Sequence, residues 1–147
     1  MIVDDLRCLQ SMPVFADVPP AKLKLFARAS TKLTFDIGQP LTTQGDAASA
    51  VYVIISGEAD VRRETGDVVV QLASVGTGAI VGDFGIYLDQ PYSATVVPVV
   101  PVTALQLDRK DFMDIVTQEP QFLLGIIRQM ARMVIKGGDR YASAVQS

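Results

Sequence analysis

The apolar positions of this chain change rhythm twice. Near the start they recur at three- and four-residue intervals: Leu23, Phe26 and Ala27 follow Pro20 on what would be one helix face. That spacing predicts short helices, the second opening where proline's fixed φ costs no donor. From Thr31 to about Leu107, Val, Ile, Thr and Tyr gather in short runs, and Gly, Pro and Asp interrupt them roughly every 6 to 12 residues. The run VYVIISGEADVRR, residues 51–63, reads as a hairpin, with an apolar strand, a tight turn at Ser56-Gly57 and an alternating return strand. The run ETGDVVVQLASV, residues 64–75, adds a second Gly-Asp turn and another strand. Further turns are expected at Ile37-Gly38 and Gly45-Asp46, and a bend at Gly76 and Gly78. After Leu107 the helical rhythm returns. Asp108 is placed to cap a helix whose third position is Asp111, with Phe112 and either Ile115 or Val116 turned inward. Pro120 opens a longer helix on which Phe122, Leu123, Ile126, Ile127, Met130, Met133 and Val134 form one broad apolar stripe. Gly137 and Gly138 are expected to end it, leaving a small polar tail, DRYASAVQS, that frays.

The order is therefore helices, then β-structure, then helices, within a single domain over residues 1–147. The expected bounds are helices at about 4–30, a β-barrel at about 31–107 and C-terminal helices at about 108–137. The fold class this predicts is mainly β with flanking helices, built on an all-β barrel or jelly roll.

Composition narrows the chemistry more than the fold. The chain has no histidine, which removes Ser-His-Asp and Cys-His nucleophile systems. A zinc or iron site would have only carboxylates and one thiol to draw on. A jelly-roll enzyme of the cupin kind is disfavoured for the same reason. No catalytic residues, metal or cofactor are expected. A net charge of −3 argues against nucleic-acid binding. The lone cysteine, Cys8, excludes an internal disulfide and fits a reducing compartment. The N-terminus is acidic where a secretory signal would be basic, and Pro98 and Pro101 break the most apolar region. A cytoplasmic location away from membranes is the expectation.

Several stretches resemble the cyclic nucleotide-binding domain family. LQSMPVFADVPPAKLKLFA is similar to its entry helices with their Pro-x-Phe element. FDIGQPLTTQGDAASAVYVIISGEADV is similar to its paired glycine turns and its Ser-Gly corner. VGDFGIYLDQPYSATV, residues 81–96, occupies the place of the family's phosphate-binding cassette. LDRKDFMDIV matches the helix after the barrel, and the last helix matches the lid. The resemblance spans about residues 9 to 136 and implies a double-stranded β-helix barrel that binds cAMP or cGMP and moves the lid helix when occupied.

The resemblance also implies a set of contacts. Gly82, Phe84, Gly85 and Ile86 would present a helix start to the cyclic phosphate, as helix N-termini do for anions. Asp83 stands where the family has a glutamate for the ribose 2′-hydroxyl, one methylene shorter; an N-cap for the turn at Phe84 is the competing role. Tyr92 stands where an arginine would pair with the phosphate, and a half-buried strand aromatic is the competing role. Ser93 and Ala94 follow, Ser93 as a phosphate or guanine contact or simply a strand residue. No Lys or Arg occurs between Arg63 and Arg109, so a substitute cation must come from elsewhere, Arg128 or Arg132 of the lid being the candidates. Losing one charge-assisted hydrogen bond weakens binding about 10- to 100-fold. The expected partners are a cyclic nucleotide and either an effector protein or a second copy, met through the lid. The alternative is a degenerate module that keeps the barrel and acts by protein contacts alone. A chain ending about ten residues past Gly137 has no room for a helix-turn-helix.

Overall fold

The computed structural model describes residues 2–146, with side chains placed over 5–138. Helix α1 (Ile2–Gln10), a 3-10 turn (Pro13–Phe15) and α2 (Pro20–Ala29) precede the barrel. The strands are β1 (Thr31–Phe35), β2 (Ala50–Ser56), β3 (Ala59–Thr65), β4 (Val68–Val75), β5 (Ile80–Val81), β6 (Thr95–Pro98) and β7 (Val102–Asp108). A short helix, α3 (Asp83–Leu88), interrupts the strands between β5 and β6. Helices α4 (Arg109–Gln118) and α5 (Pro120–Gln146) follow. The strands form two antiparallel sheets, ordered β1-β7-β2-β5 and β4-β3-β6, the jelly-roll arrangement of a mainly β fold with flanking helices.

β2 explains how this packs. Its side chains alternate between two apolar surroundings, as the pleat requires. Val51 and Val53 face the helices, and Ala50, Tyr52 and Ile54 face the barrel interior. A strand covered on both sides needs a continuous apolar run, which AVYVII supplies. On the helix side, Phe15, Phe26 and Phe122 meet with ring centroids 5.3, 5.5 and 5.6 Å apart, tying the entry helices to α5. Asp108 caps α4 as its sequence position suggests, accepting the Asp111 N–H at 2.8 Å.

Three expectations change. Residues 51–63 are not a hairpin: β2 pairs with β5 and β7, and β3 pairs with β4 and β6. The chain turns a corner at Gly57 (φ 101°) and passes to the other sheet. A Cβ there would collide with the Pro101 carbonyl, so the turn chemistry that suggests a hairpin serves a sheet switch instead. The second change concerns α5, which continues through Gly137 and Gly138 to Gln146. Neither glycine takes positive φ, and a glycine in a helix costs only about 1 kcal/mol against alanine, which neighbouring turns outweigh. The side chains of the tail lie outside the described residues. Third, the stripe on α5 is divided. Phe122 and Ile126 are buried, whereas Ile127, Met133 and Val134 are exposed, because only the first part of α5 packs on the 3-10 turn and α4.

Candidate ligand-binding site

A cavity of about 700 Å³ opens between the barrel, α3 and α5. Its walls are mostly apolar, with Val61, Leu72, Val75, Ile80 and Val81 from the strands. Of the residues singled out in the sequence, Gly82, Asp83, Phe84, Gly85, Tyr92, Ser93 and Ala94 all line it. Ile86 does not. It is buried in the helix-side core with Ala48, Val51 and Val53.

The local fold follows from two glycines. Gly82 holds φ at +84°, and a Cβ there would press within 3.0–3.2 Å of the Ala50 carbonyl, Thr42 and Tyr92. Gly85 lets α3 lie against its own return loop: a Cβ would sit 2.7 Å from the Gln90 carbonyl and 2.9 Å from Ala48 Cβ. Asp89 then closes α3 in the left-handed region (φ 54°), and its carboxylate accepts from Arg109 at 2.6 Å. That contact takes Arg109 up outside the cavity lining.

Tyr92 is buried, and its hydroxyl is committed to the backbone. It donates to the Ala50 carbonyl at 2.6 Å and accepts the Ala50 N–H at 3.1 Å. β5 ends at Val81, so β2 loses its neighbour beyond Tyr52, and the Tyr92 hydroxyl takes over the role of the missing strand for Ala50. The ring lines the cavity without filling it.

Asp83 is 6% exposed and is the first residue of α3, so it is not the N-cap, which is Gly82. Its carboxyl lies near the N–H groups of Asp83 and Phe84 at the start of α3. Burial pushes its pKa from 3.8 up to about 6, against the pull of Tyr87 and of those two amides. Burial, and then the charge of Asp83, push the Tyr87 phenol above its ordinary range. The Tyr87 hydroxyl has no partner of hydrogen-bonding geometry, so its effect on Asp83 is charge–dipole attraction rather than a formed bond. An anion approaching this part of the cavity meets the Asp83 carboxyl near the first amides of α3.

The cations are elsewhere. Arg128 pairs with Asp17 at 2.7 Å and does not line the cavity, which removes one of the two expected substitutes. Arg132 does line it, as do Gln129, Met133 and Lys136 from the same helix. Lys136, one turn beyond Arg132, went unrecognised in the sequence because the glycines after it read as a helix end. Arg63 donates from Nε to the Ser93 carbonyl at 3.1 Å; no local pattern announces a contact across 30 residues. Burial raises the pKa of the Cys8 thiol, which keeps it from being a ready thiolate. Among the described residues no acidic, cysteine or histidine cluster could hold a metal ion, and no helix is long and apolar enough to cross a membrane.

The sequence profile of the cyclic nucleotide-binding domain matches residues 32–119, more than half of the chain. The chain belongs to this family. It is 30% identical over 105 residues to the type II regulatory subunit of the cAMP-dependent protein kinase of Drosophila melanogaster, covering 71% of this chain and 28% of that protein. Among solved structures it is similar to the regulatory domain of Toxoplasma gondii protein kinase A with cAMP, at 18% identity and a TM-score of 0.78 over 88% of this chain and 50% of that one. It is equally similar to the regulatory subunit of a cAMP-independent protein kinase A from Trypanosoma brucei, at 20% identity and a TM-score of 0.78 over 99% and 52% of the two chains. The chain spans 20% to 59% of the length of the curated relatives it matches. These structural likenesses establish the cyclic nucleotide-binding fold, and one such fold serves a cAMP complex and a cAMP-independent subunit alike.

Proposed function

We propose that this chain is a regulatory, non-catalytic module of the cytoplasm that takes cAMP or cGMP into its barrel cavity and transmits occupancy through α5. The observation that carries this reading is that two parts of the chain wall one cavity: residues 82–85 and 92–94, and α5 through Gln129, Arg132, Met133 and Lys136. A ligand that touches both walls binds more tightly when α5 is docked than when it is away. That difference in affinity is what a switch requires. The exposed apolar residues of α5, Ile127, Val134 and Ile135, then give the output surface, which meets an effector protein or a second copy. Asp83 receives the ribose hydroxyl, and the ligand is held weakly because Tyr92 replaces the phosphate-binding arginine. The similarity to a kinase subunit named for cAMP supports the choice of ligand.

Calorimetric titration of cAMP and cGMP tests the reading. Saturable heat, with a melting temperature that rises with ligand, is the expected outcome. No heat and no change in melting at millimolar nucleotide would end it. A second reading, a barrel that has lost its nucleotide and works only through protein contacts, is favoured by one observation: the Tyr92 hydroxyl is already committed to the Ala50 backbone. The same titration decides between the two.

A further inference from the structure

We propose that the negative charge of the ligand is held by α5, through Arg132 with Lys136 beside it, and not by the α3 cassette. This inference rests on the proposed nucleotide-binding function and states which end of the cavity takes the charge. The argument begins from exclusion. Residues 81–96 contain no Lys or Arg. The phenol of Tyr92, which stands at the cation's place, spends its proton on the Ala50 carbonyl. The carboxyl of Asp83 stands at the start of α3, where its charge opposes an anion near the first amides. Three nearby arginines are engaged away from the cavity: Arg109 with Asp89, Arg128 with Asp17 and Arg62 with Asp60.

What remains is arranged on one helix face. Arg132 and Lys136 are four residues apart, one turn of α5, and both line the same cavity as Asp83. Arg132 forms no ion pair among the described residues. The charged lining is thus acidic where α3 contributes and basic where α5 contributes. A ligand that fits this polarity carries hydrogen-bond donors toward Asp83 and its anionic group toward α5, with an apolar body against Val61, Leu72 and Val81. For a cyclic nucleotide this sets the ribose hydroxyl on Asp83 and turns the phosphate toward the helix. The consequence is mechanical. With the charge held on α5, the same bond that binds the ligand also docks the helix, so affinity and signal are one interaction.

The rival cation is Arg63, whose guanidinium bonds the Ser93 carbonyl at the far end of the cassette. The experiment is therefore a calorimetric comparison of the wild type, Arg132→Gln and Arg63→Gln, each titrated with cAMP and with uncharged adenosine. Both positions are exposed, and thermal melts of the unliganded variants check that each is folded. The expected result is that Arg132→Gln weakens cAMP about 10- to 100-fold and Arg63→Gln less than about 3-fold. Adenosine should bind more weakly than cAMP to the wild type, with no further loss in Arg132→Gln, and cAMP affinity should fall as salt rises. Equal cAMP affinity in the wild type and Arg132→Gln, or a loss confined to Arg63→Gln, would overturn the assignment to α5 while leaving nucleotide binding intact. Absence of cAMP binding to the wild type would remove the nucleotide reading and this inference together.

Discussion

β2 and β4 are composed of much the same residues, AVYVIIS and VVVQLASV, and they end in opposite surroundings. β2 sits inside its sheet with helices on one face and the barrel on the other, and five of its residues, Ala50, Val51, Tyr52, Val53 and Ile54, are buried. β4 is the outer strand of the smaller sheet, and Val68, Val69, Val70 and Leu72 are 60%, 59%, 43% and 40% exposed. The contrast extends to the molecule. The side carrying β2, α2, α4 and the start of α5 is closed by aromatic packing. The side carrying β4, α3 and the rest of α5 is open, and the cavity lies there. An apolar run reports that a strand can be buried; whether it is depends on which elements fold over it. The open side keeps the cavity-facing groups accessible, and the packed core lies on the closed side.

The largest test of this division is Ile54→Ala in β2. It removes a fully buried side chain from the barrel interior and should cost about 2–5 kcal/mol by chemical denaturation. A loss below about 1 kcal/mol would mean that β2 is not the closed centre described here.

Next is Asp83 at the boundary between the sides. Its folded-state pKa lies above the unfolded value of 3.8, at about 6, so folding favours the protonated carboxyl. The sign follows: the wild type loses stability as pH rises from 4 to 6, by up to about 3 kcal/mol, and stays level above that. Asp83→Asn should lack this slope. Denaturation midpoints of both proteins between pH 4 and 8 measure it, and parallel curves would contradict the buried acid.

Smaller again is Tyr92→Phe, which strips the edge of β2 of the group that replaces β5. Ala50 is left with two unpartnered backbone groups, at a cost of about 1–3 kcal/mol. Hydrogen exchange of the Ala50 amide should accelerate in the same variant.

The least effect is expected of Val70→Thr in β4, within about 0.5 kcal/mol of the wild type, because the side chain is already half in water. The same variant should aggregate less, since an exposed apolar edge strand is a template for pairing. A cost comparable to Ile54→Ala would show that β4 is covered in solution.

Read from its own residues, the chain determined the order of its elements, because periodicity, prolines and caps are local. Pro20 opens a helix, Asp108 caps one, and Gly38, Gly45 and Gly66 sit in positive-φ turns that only a few residue types tolerate. Gly82 and Gly85 belong with these, since each serves a close backbone approach within one short stretch. What the tertiary structure alone decided is pairing and charge. Gly57 carries the same turn signal whether the next strand pairs with the last or joins another sheet, so the switch from β2 to β3 depended on where β7 and β6 came to lie. The Tyr92 hydroxyl bonds Ala50 across 42 residues, Arg63 reaches Ser93 across 30, and Arg132 enters the cavity while Arg128, one turn earlier, leaves it for Asp17. Such partnerships are set by three-dimensional distance, and the electrostatics of the cavity follow from them. Spacing along a chain constrains the first kind of fact directly and the second only through the completed fold.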